Sequence, residues 1–400
     1  MGTVKLREAG LLLRAFEPGD AEPVFRACQD AEIQRWTNVP RPYLPRHAID
    51  FVTSYSEQAW RTGTAAPLGV FDAATGELLG SSGLIMLQRD YRVGEVGYWV
   101  APWARGRGVA TTATRAVARW AQTALGLERI AWRAEVGNQA SRTIAHHLGF
   151  RMEGVLRYGA PRHDGHRVDC WSASLLPGEL REPGTPLSPS DALAIRQAAV
   201  FGRPQPTLTA MITGGEPIAL RAPDERDLDG VVAACRDPET ARWTTVPAPY
   251  SRANAEYFVH GRAPSRWATG TGLVGVVVDA GDRYCGSMEL RLGPDDLSVA
   301  DVGYLIAPWA RGRGYATAAL RELCRWGLET LGVRRIEWGA NVGNDASRRV
   351  AERAGFTIEG TSRARALHRG EARDSWTGAL LPGDTSTAGA AAAVSGENRS

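Results

Sequence analysis

Val96–Ala110 reads VGYWVAPWARGRGVA, and Val302–Ala316 reads VGYLIAPWARGRGYA. Twelve of these fifteen positions are identical at an offset of 206 residues. Each segment begins as a strand from Glu95 to Val100 or its equivalent, and a proline (Pro102, Pro308) stops it, because proline cannot donate to a sheet ladder. A helix follows: Val117, Trp120, Ala121, Ala124 and Leu125 fall on one face at i, i+3, i+4 steps, and Gly126 suits its C-terminal stop. Between strand and helix lies Arg105-Gly106-Arg107-Gly108-Val109-Ala110, repeated as Arg311-Gly312-Arg313-Gly314-Tyr315-Ala316. Glycines there let the backbone turn tightly and approach a ligand. The helix N-terminus adds unpaired N–H groups and the positive end of a dipole, which suits a pyrophosphate.

Other readings of the turn are weaker. A Rossmann turn needs G-x-G-x-x-G, and a P-loop needs Lys followed by Ser or Thr; neither is present. An arginine–glycine contact to single-stranded nucleic acid is conceivable, but no basic stretch with interleaved aromatics accompanies it. A plain basic helix cap is the bland alternative, and an intact second copy argues against it.

The repetition extends both ways. LRAFEPGD from Leu13 answers LRAPDERD from Leu220, and RWTNVPRPY from Arg35 answers RWTTVPAPY from Arg242. Asn138, Ser141, Gly149 and Phe150 recur as Asn344, Ser347, Gly355 and Phe356. Asp169, Trp171 and the LLPG from Leu175 recur as Asp374, Trp376 and the LLPG from Leu380. A repeat this long is a duplicated whole domain. The expected division is a domain over 1–181, a linker over 182–206, a second domain over 207–384 and a disordered tail over 385–400. Within the linker, Asp191–Phe201 reads as a short helix.

In the first copy the remaining pattern gives a strand at 11–16, a helical region at 20–36 and proline-containing turns after it. Strands at PLGVFD from Pro67 and LLGSSGLIML from Leu78 follow, then a strand over 129–134, a helix over 138–148 and two last strands about HDGHR from His163. This is an α/β (α+β) arrangement built on a mixed sheet.

Composition bounds the function classes. The chain has 400 residues, 44% hydrophobic and 23% charged, so either half can bury a core. A net charge of +3 does not argue for nucleic-acid or membrane partners. Lys5 is the only lysine, which nearly excludes self-acetylation on lysine. Five scattered cysteines without a CxxC pair fit neither a disulfide framework nor a zinc site. No apolar run suits a signal peptide or a bilayer span, and the expected location is the cytoplasm.

R-x-x-G-x-A after a G-Y-W strand and before a helix resembles the acetyl-CoA-binding motif of the GNAT N-acetyltransferases. The L-R-x-x-x-x-x-D opening, the N-x-x-S helix start, the Gly-Phe helix end and the closing D-x-W resemble the RimJ/RimL branch. The resemblance covers about 11–178 and 218–383. It implies two tandem acyl-CoA N-acyltransferase folds, each a mostly antiparallel mixed sheet flanked by helices, with an internal pseudo-dimer as the expected substitute for a homodimer.

It also implies roles. Backbone N–H groups from Arg105, Gly106, Arg107, Gly108, Val109, Ala110 and Thr111 would hold the cofactor's pyrophosphate, as would Arg311, Gly312, Arg313, Gly314, Tyr315, Ala316 and Thr317. Trp99 and Val100, and Leu305 and Ile306, would lie beside the thioester, whose pantetheine arm runs along the strand. Asn138 and Asn344 would contact that arm, unless they are only helix caps. Glu95 or Asp301 would take the amine proton through water, unless they are solvated strand-end acids. The tyrosine acid common in the family is replaced by Ala145 and Ala351, leaving Ser141 and Ser347 to protonate the departing thiolate. Trp36 and Trp243 fall in the segment that walls the acceptor pocket, but read more readily as core. His163 and His166 do not support a metal site.

The expected activity is acetyl transfer from acetyl-CoA to a primary amine, on a protein N-terminus or a small molecule. An acyl-CoA-binding regulatory or scaffold protein, with one or both halves inactive, is the alternative.

Overall fold

A computed structural model describes residues 1–162, 164–212 and 214–384. The expected disordered tail over 385–400 and His163 lie outside the described residues. The chain divides into two compact units, Met1–Asp191 and from Ala192 on.

The first unit holds one eight-stranded sheet: β1 (Lys5–Glu8), β2 (Leu11–Arg14), β3 (Gly69–Asp72), β4 (Leu78–Gln88), β5 (Val93–Val100), β6 (Arg129–Glu135), β7 (Arg151–Pro161) and β8 (Arg167–Leu175), in the order β1-β2-β3-β4-β5-β6-β8-β7. All neighbours are antiparallel except β5 and β6. The second unit repeats it with β9 (Leu208–Met211), β10 (Pro217–Arg221), β11 (Gly272–Val278), β12 (Tyr284–Leu292), β13 (Val299–Ile306), β14 (Arg335–Asn341), β15 (Thr357–His368) and β16 (Glu371–Leu380), and only β13 and β14 are parallel. Two tandem α/β domains of the expected kind are therefore present.

Each sheet has a core on both faces. In the first unit, Leu13, Leu84, Val117, Trp132 and Leu148 bury against the Val109–Thr123 and Gln139–Leu148 helices. The other face packs Phe16, Val24, Ile33, Val52 and Phe71 under the helical segments between β2 and β3. Alternation along β5 assigns its side chains: Tyr98 and Val100 join the first core, and Trp99 packs against the second.

Two parts of this pattern depart from expectation. The region over 20–36 is two helices, Ala21–Ala27 and Ala31–Trp36, because Asp30 caps the second by accepting from the Ile33 N–H at 2.9 Å. Residues 45–62, to which the sequence pattern assigns no helix after the proline-containing turns, are continuous helical chain through Pro45–Ile49, Asp50–Tyr55 and Ser56–Thr62. In the chain between β8 and β9, Pro189–Phe201 is a helix; its Phe201 ring meets Trp267 edge-on at 4.8 Å, and Gln197 donates to the Leu297 carbonyl at 2.8 Å. Among the described residues no helix is long and apolar enough to cross a membrane.

One buried titratable group outside the site makes the first unit acid-sensitive. Burial lowers the His146 pKa to about 4; Arg142, Arg181 and His147 reinforce the shift and Asp191 opposes it. A histidine with a lowered folded pKa stabilises above its unfolded value, near 6.5, and that stability is lost as pH falls through about 4. Chemical denaturation between pH 7 and 4 should show the first unit weakening steadily. His146→Gln should flatten that slope, and an unchanged slope would assign it to other groups.

Candidate active site

The site begins where two strands part. β5 pairs with β6 at only three positions, Val93 with Arg129, Gly94 with Ile130 and Glu95 with Ala131. Beyond Glu95, β5 continues along β4, from Val96 opposite Leu84 to Val100 opposite Gly80. β6 instead follows β8, from Trp132 opposite Ala173 to Glu135 opposite Cys170. One edge of Val96–Val100 thus has no strand beside it among the described residues. The second unit repeats this: parallel pairing ends at Asp301 opposite Glu337, and Val302–Ile306 runs on beside β12 alone. A free strand edge presents a row of N–H and C=O groups to which an extended ligand can add.

That edge leads into the glycine turn. After Pro102–Ala104, Gly106 and Gly108 both take φ +73°, and Gly312 and Gly314 take +75° and +82°. These left-handed conformations explain the glycines, since a Cβ at any of the four would meet nothing within 4 Å. The space in front of the turn is open. Gly108 and Gly314 are the N-caps of Val109–Thr123 and Tyr315–Trp326, and neither helix has a side-chain cap. Their first N–H groups remain available to an anion. Val109, Ala110 and Tyr315 turn their side chains into the core, so these positions offer backbone only.

The turn arginines are engaged elsewhere. Arg105 pairs with Asp30, the cap of the Ala31–Trp36 helix. Arg311 pairs at 2.6 Å with Asp237, which caps Pro238–Trp243. Both guanidiniums tie the turn to the neighbouring helical wall. Arg107 lies 3.9 Å from Asp72, and Arg313 sits over the Tyr315 ring.

Across the gap, the Gln139–Leu148 helix brings Ser141 to the parting strands. Asn138 caps this helix, its Oδ1 accepting from the Ser141 N–H at 3.1 Å; Asn344 does the same for Ser347. The Ser141 Oγ is 2.9 Å from the Tyr98 hydroxyl of β5 and 3.2 Å from Trp132 Nε1 of β6, and Trp132 Nε1 also donates to Tyr98 at 3.0 Å. Tyr304, Trp338 and Ser347 repeat the triangle at 3.0, 3.2 and 3.1 Å. Burial pushes Tyr98 and Tyr304 up to about 12, against the pull of these hydrogen bonds, so both phenols stay protonated near neutrality. Sequence reasoning missed the tyrosine and the tryptophan. The available signal was that both recur at the same 206-residue offset as the serine.

Glu95 and Asp301 occupy equivalent points, the last paired residue before the strands separate. Glu95 is 6% exposed and accepts from Arg133 Nε at 3.0 Å, an arginine of β6. The Asp301 side chain is 44% exposed and accepts from Arg291 Nε at 3.0 Å, an arginine of β12.

Trp36 and Trp243 are not core residues. Both are half-buried and covered by the guanidinium of the preceding arginine, at 4.5 and 4.9 Å from the ring centres. Each helix here is only six residues long, so its one buried position goes to Ile33 or Thr240 and the tryptophan is left at the margin.

In the second unit these parts line one groove of about 1480 Å³. It brings together Asp301, Leu305 and Ile306, the turn from Arg311 to Thr317 apart from Arg313, and Asn344, Ser347 and Trp243. The volume exceeds that of most small-ligand pockets, as a long cofactor and an acceptor together would require. Among the described residues no group of three or more His, Cys, Asp or Glu is placed to hold a metal.

The sequence model of the acetyltransferase (GNAT) domain matches residues 10–151 and again 218–357, together more than half of the chain. The N-acetyltransferase YoaA of Bacillus subtilis is 29% identical over 147 residues, spanning 37% of this chain and 82% of YoaA. The N-acetyltransferase p20 of Bacillus licheniformis is 27% identical over 169 residues, spanning 42% of this chain and 94% of p20. Among solved structures, Mycobacterium smegmatis RimJ in complex with CoA-disulfide superposes on 48% of this chain and 98% of its own, at 20% identity and a TM-score of 0.42. With its parting strands, glycine turns and two matched domains, the chain belongs to the GNAT acetyltransferase family, whose cofactor is acetyl-CoA.

Proposed function

We propose that each half transfers an acetyl group from acetyl-CoA to a primary amine by direct attack on the thioester. The observation that carries this is the free edge of β5 leading, through Pro102–Ala104 and the glycine turn, to an uncapped helix N-terminus, repeated in β13. An extended arm can pair with Val96–Val100 while a pyrophosphate takes the N–H groups from Arg105 to Thr111. The same holds for Val302–Ile306 and Arg311 to Thr317.

The cofactor supplies an activated acetyl carbonyl at the gap. A backbone N–H near Trp99 and Val100, or Leu305 and Ile306, polarises that carbonyl. The amine nitrogen bonds to the carbonyl carbon, the carbon–sulfur bond breaks, and two protons must move. Glu95 or Asp301 receives the amine proton through a water, with Arg133 or Arg291 holding the carboxylate at the mouth of the gap. Ser141 or Ser347 gives a proton to the sulfur and regains one from water, while the proton taken by Glu95 or Asp301 returns to solvent. The Tyr98 hydroxyl reaches both the Ser141 carbonyl oxygen, at 3.2 Å, and its Oγ; when it donates to Oγ, the Ser141 proton is free for the sulfur. Tyr98 and Tyr304 are therefore positioning residues for the serine.

Thiol release from acetyl-CoA in the presence of a panel of primary amines tests this reading. Amine-dependent release is expected. Binding of acetyl-CoA without release to any amine would instead favour a sensor or scaffold.

A further inference from the structure

The two halves share the positions at the gap, but the acceptor side of the sheet beside each carboxylate is different. In the second unit a row of charges crosses the groove. Arg262 donates to both oxygens of Glu289 at 2.9 and 2.8 Å; Arg291 pairs with Glu289 and, through Nε, with both oxygens of Asp301 at 3.0 Å. All four residues line the groove.

The first unit has Tyr55 and Gly83 where Arg262 and Glu289 stand, and Ile85 and Met86 across a bulge where Arg291 stands: Met86 is opposite Glu95 as Arg291 is opposite Asp301, and Ile85 covers Gly97 as Arg291 covers Gly303. Tyr55 and Ile85 are 48% and 53% exposed, and Tyr55 stacks on Phe51 with ring centres 5.7 Å apart. A bulge between Leu84 and Met86 leaves Ile85 turned outward. Gly83 admits no side chain, because a Cβ would collide with the Ala66 carbonyl oxygen. The cation that holds Glu95 comes from the opposite strand, as Arg133, whose counterpart in the second unit is Gly339. The arginine–glutamate pair further along, Arg129 with Glu153, recurs as Arg335 with Glu359 and does not distinguish the halves.

We infer that the two halves, read as acetyltransferases above, take different amines. The first takes an amine whose neighbouring group is aromatic or aliphatic, and the second an amine on a charged, hydrogen-bonding carrier. An apolar group gains by covering Tyr55 and Ile85. The same group laid on the Arg262–Glu289–Arg291–Asp301 row would strip water from ion pairs and return no hydrogen bond. A site built to hydrogen-bond its substrate rejects an analogue lacking the partner more strongly than an apolar site rejects a missing methylene.

The test uses the full chain with one glycine turn blocked at a time. Gly314→Glu leaves the first half to be assayed and Gly108→Glu the second. Phenethylamine and 3-methylbutylamine are compared with ethanolamine and glycylglycine, by thiol release and by nuclear magnetic resonance binding titration with coenzyme A present. The first half should favour the apolar pair by roughly tenfold or more in kcat/KM, and the second should reverse that order. In the Gly108→Glu chain, Arg262→Tyr, Glu289→Gly, Arg291→Ile and Gly339→Arg together should move the second half to the first half's order. Gly339 has room, since a Cβ there meets nothing closer than 3.6 Å. The comparison of the two blocked chains stands whether or not that variant folds.

The same order of preference in both halves overturns the inference, as does an exchanged variant that binds acetyl-CoA and keeps its original order. Failure of either half to transfer to or bind any of the four amines also overturns it. Titration of acetyl-CoA in the same samples shows whether the acetyltransfer reading falls with it or survives.

Discussion

Gly108→Glu should abolish acetyl-CoA binding in the first half and leave the second intact, and Gly314→Glu should do the converse. Both glycines have positive φ, +73° and +82°, where a side chain costs about 1–2 kcal/mol. Neither substitution meets a steric barrier, since a Cβ has nothing within 4 Å, so the fold should survive. The new carboxylate would sit at the helix N-terminus, where it competes with the pyrophosphate for the same N–H groups and repels it. Calorimetric titration should give two sites per chain in the parent and one in each variant. The blocked site should weaken by about 100-fold or more, the surviving one keeping its affinity. Two undiminished sites in either variant would mean that the turns do not carry the anion.

The second large effect is expected at the serine. In a Gly314→Glu chain, so that only the first half turns over, Ser141→Ala should lower kcat by about 100-fold, the scale of a lost proton donor. Tyr98→Phe removes the hydroxyl that orients Ser141 at 2.9 Å and should lower kcat by roughly tenfold. Acetyl-CoA affinity should change little in either variant, separating a catalytic defect from loss of structure. A kcat within twofold of the parent for Ser141→Ala would remove the serine from the chemistry.

Much of this was legible because the chain states its pattern twice. The strand, turn and helix from Glu95 to Leu125 lie within two residues of their observed bounds, since alternation, proline and glycine all act locally. The helical run over 45–62 was hidden by its composition. Only Ala48, Val52, Ser56, Ala59 and Trp60 are buried there, and Ile49 and Tyr55 face outward, which blurs the apolar stripe. The serine triangle was hidden for another reason: Tyr98, Trp132 and Ser141 come from three elements, and their meeting depends on the divergence of β5 from β6. The partner of Arg105 was equally non-local, 75 residues away at Asp30.

In both halves the proposed cofactor completes the sheet at the parting strands and ends on the glycine turn. Hydrogen–deuterium exchange with and without acetyl-CoA tests it directly. Slowed exchange is expected at Val96–Val100 and through the turn to Thr111, and likewise at Val302–Ile306 and through the turn to Thr317. Protection in one half alone would leave the other without a cofactor role. Binding that leaves both strand edges and both turns unprotected would place the cofactor elsewhere.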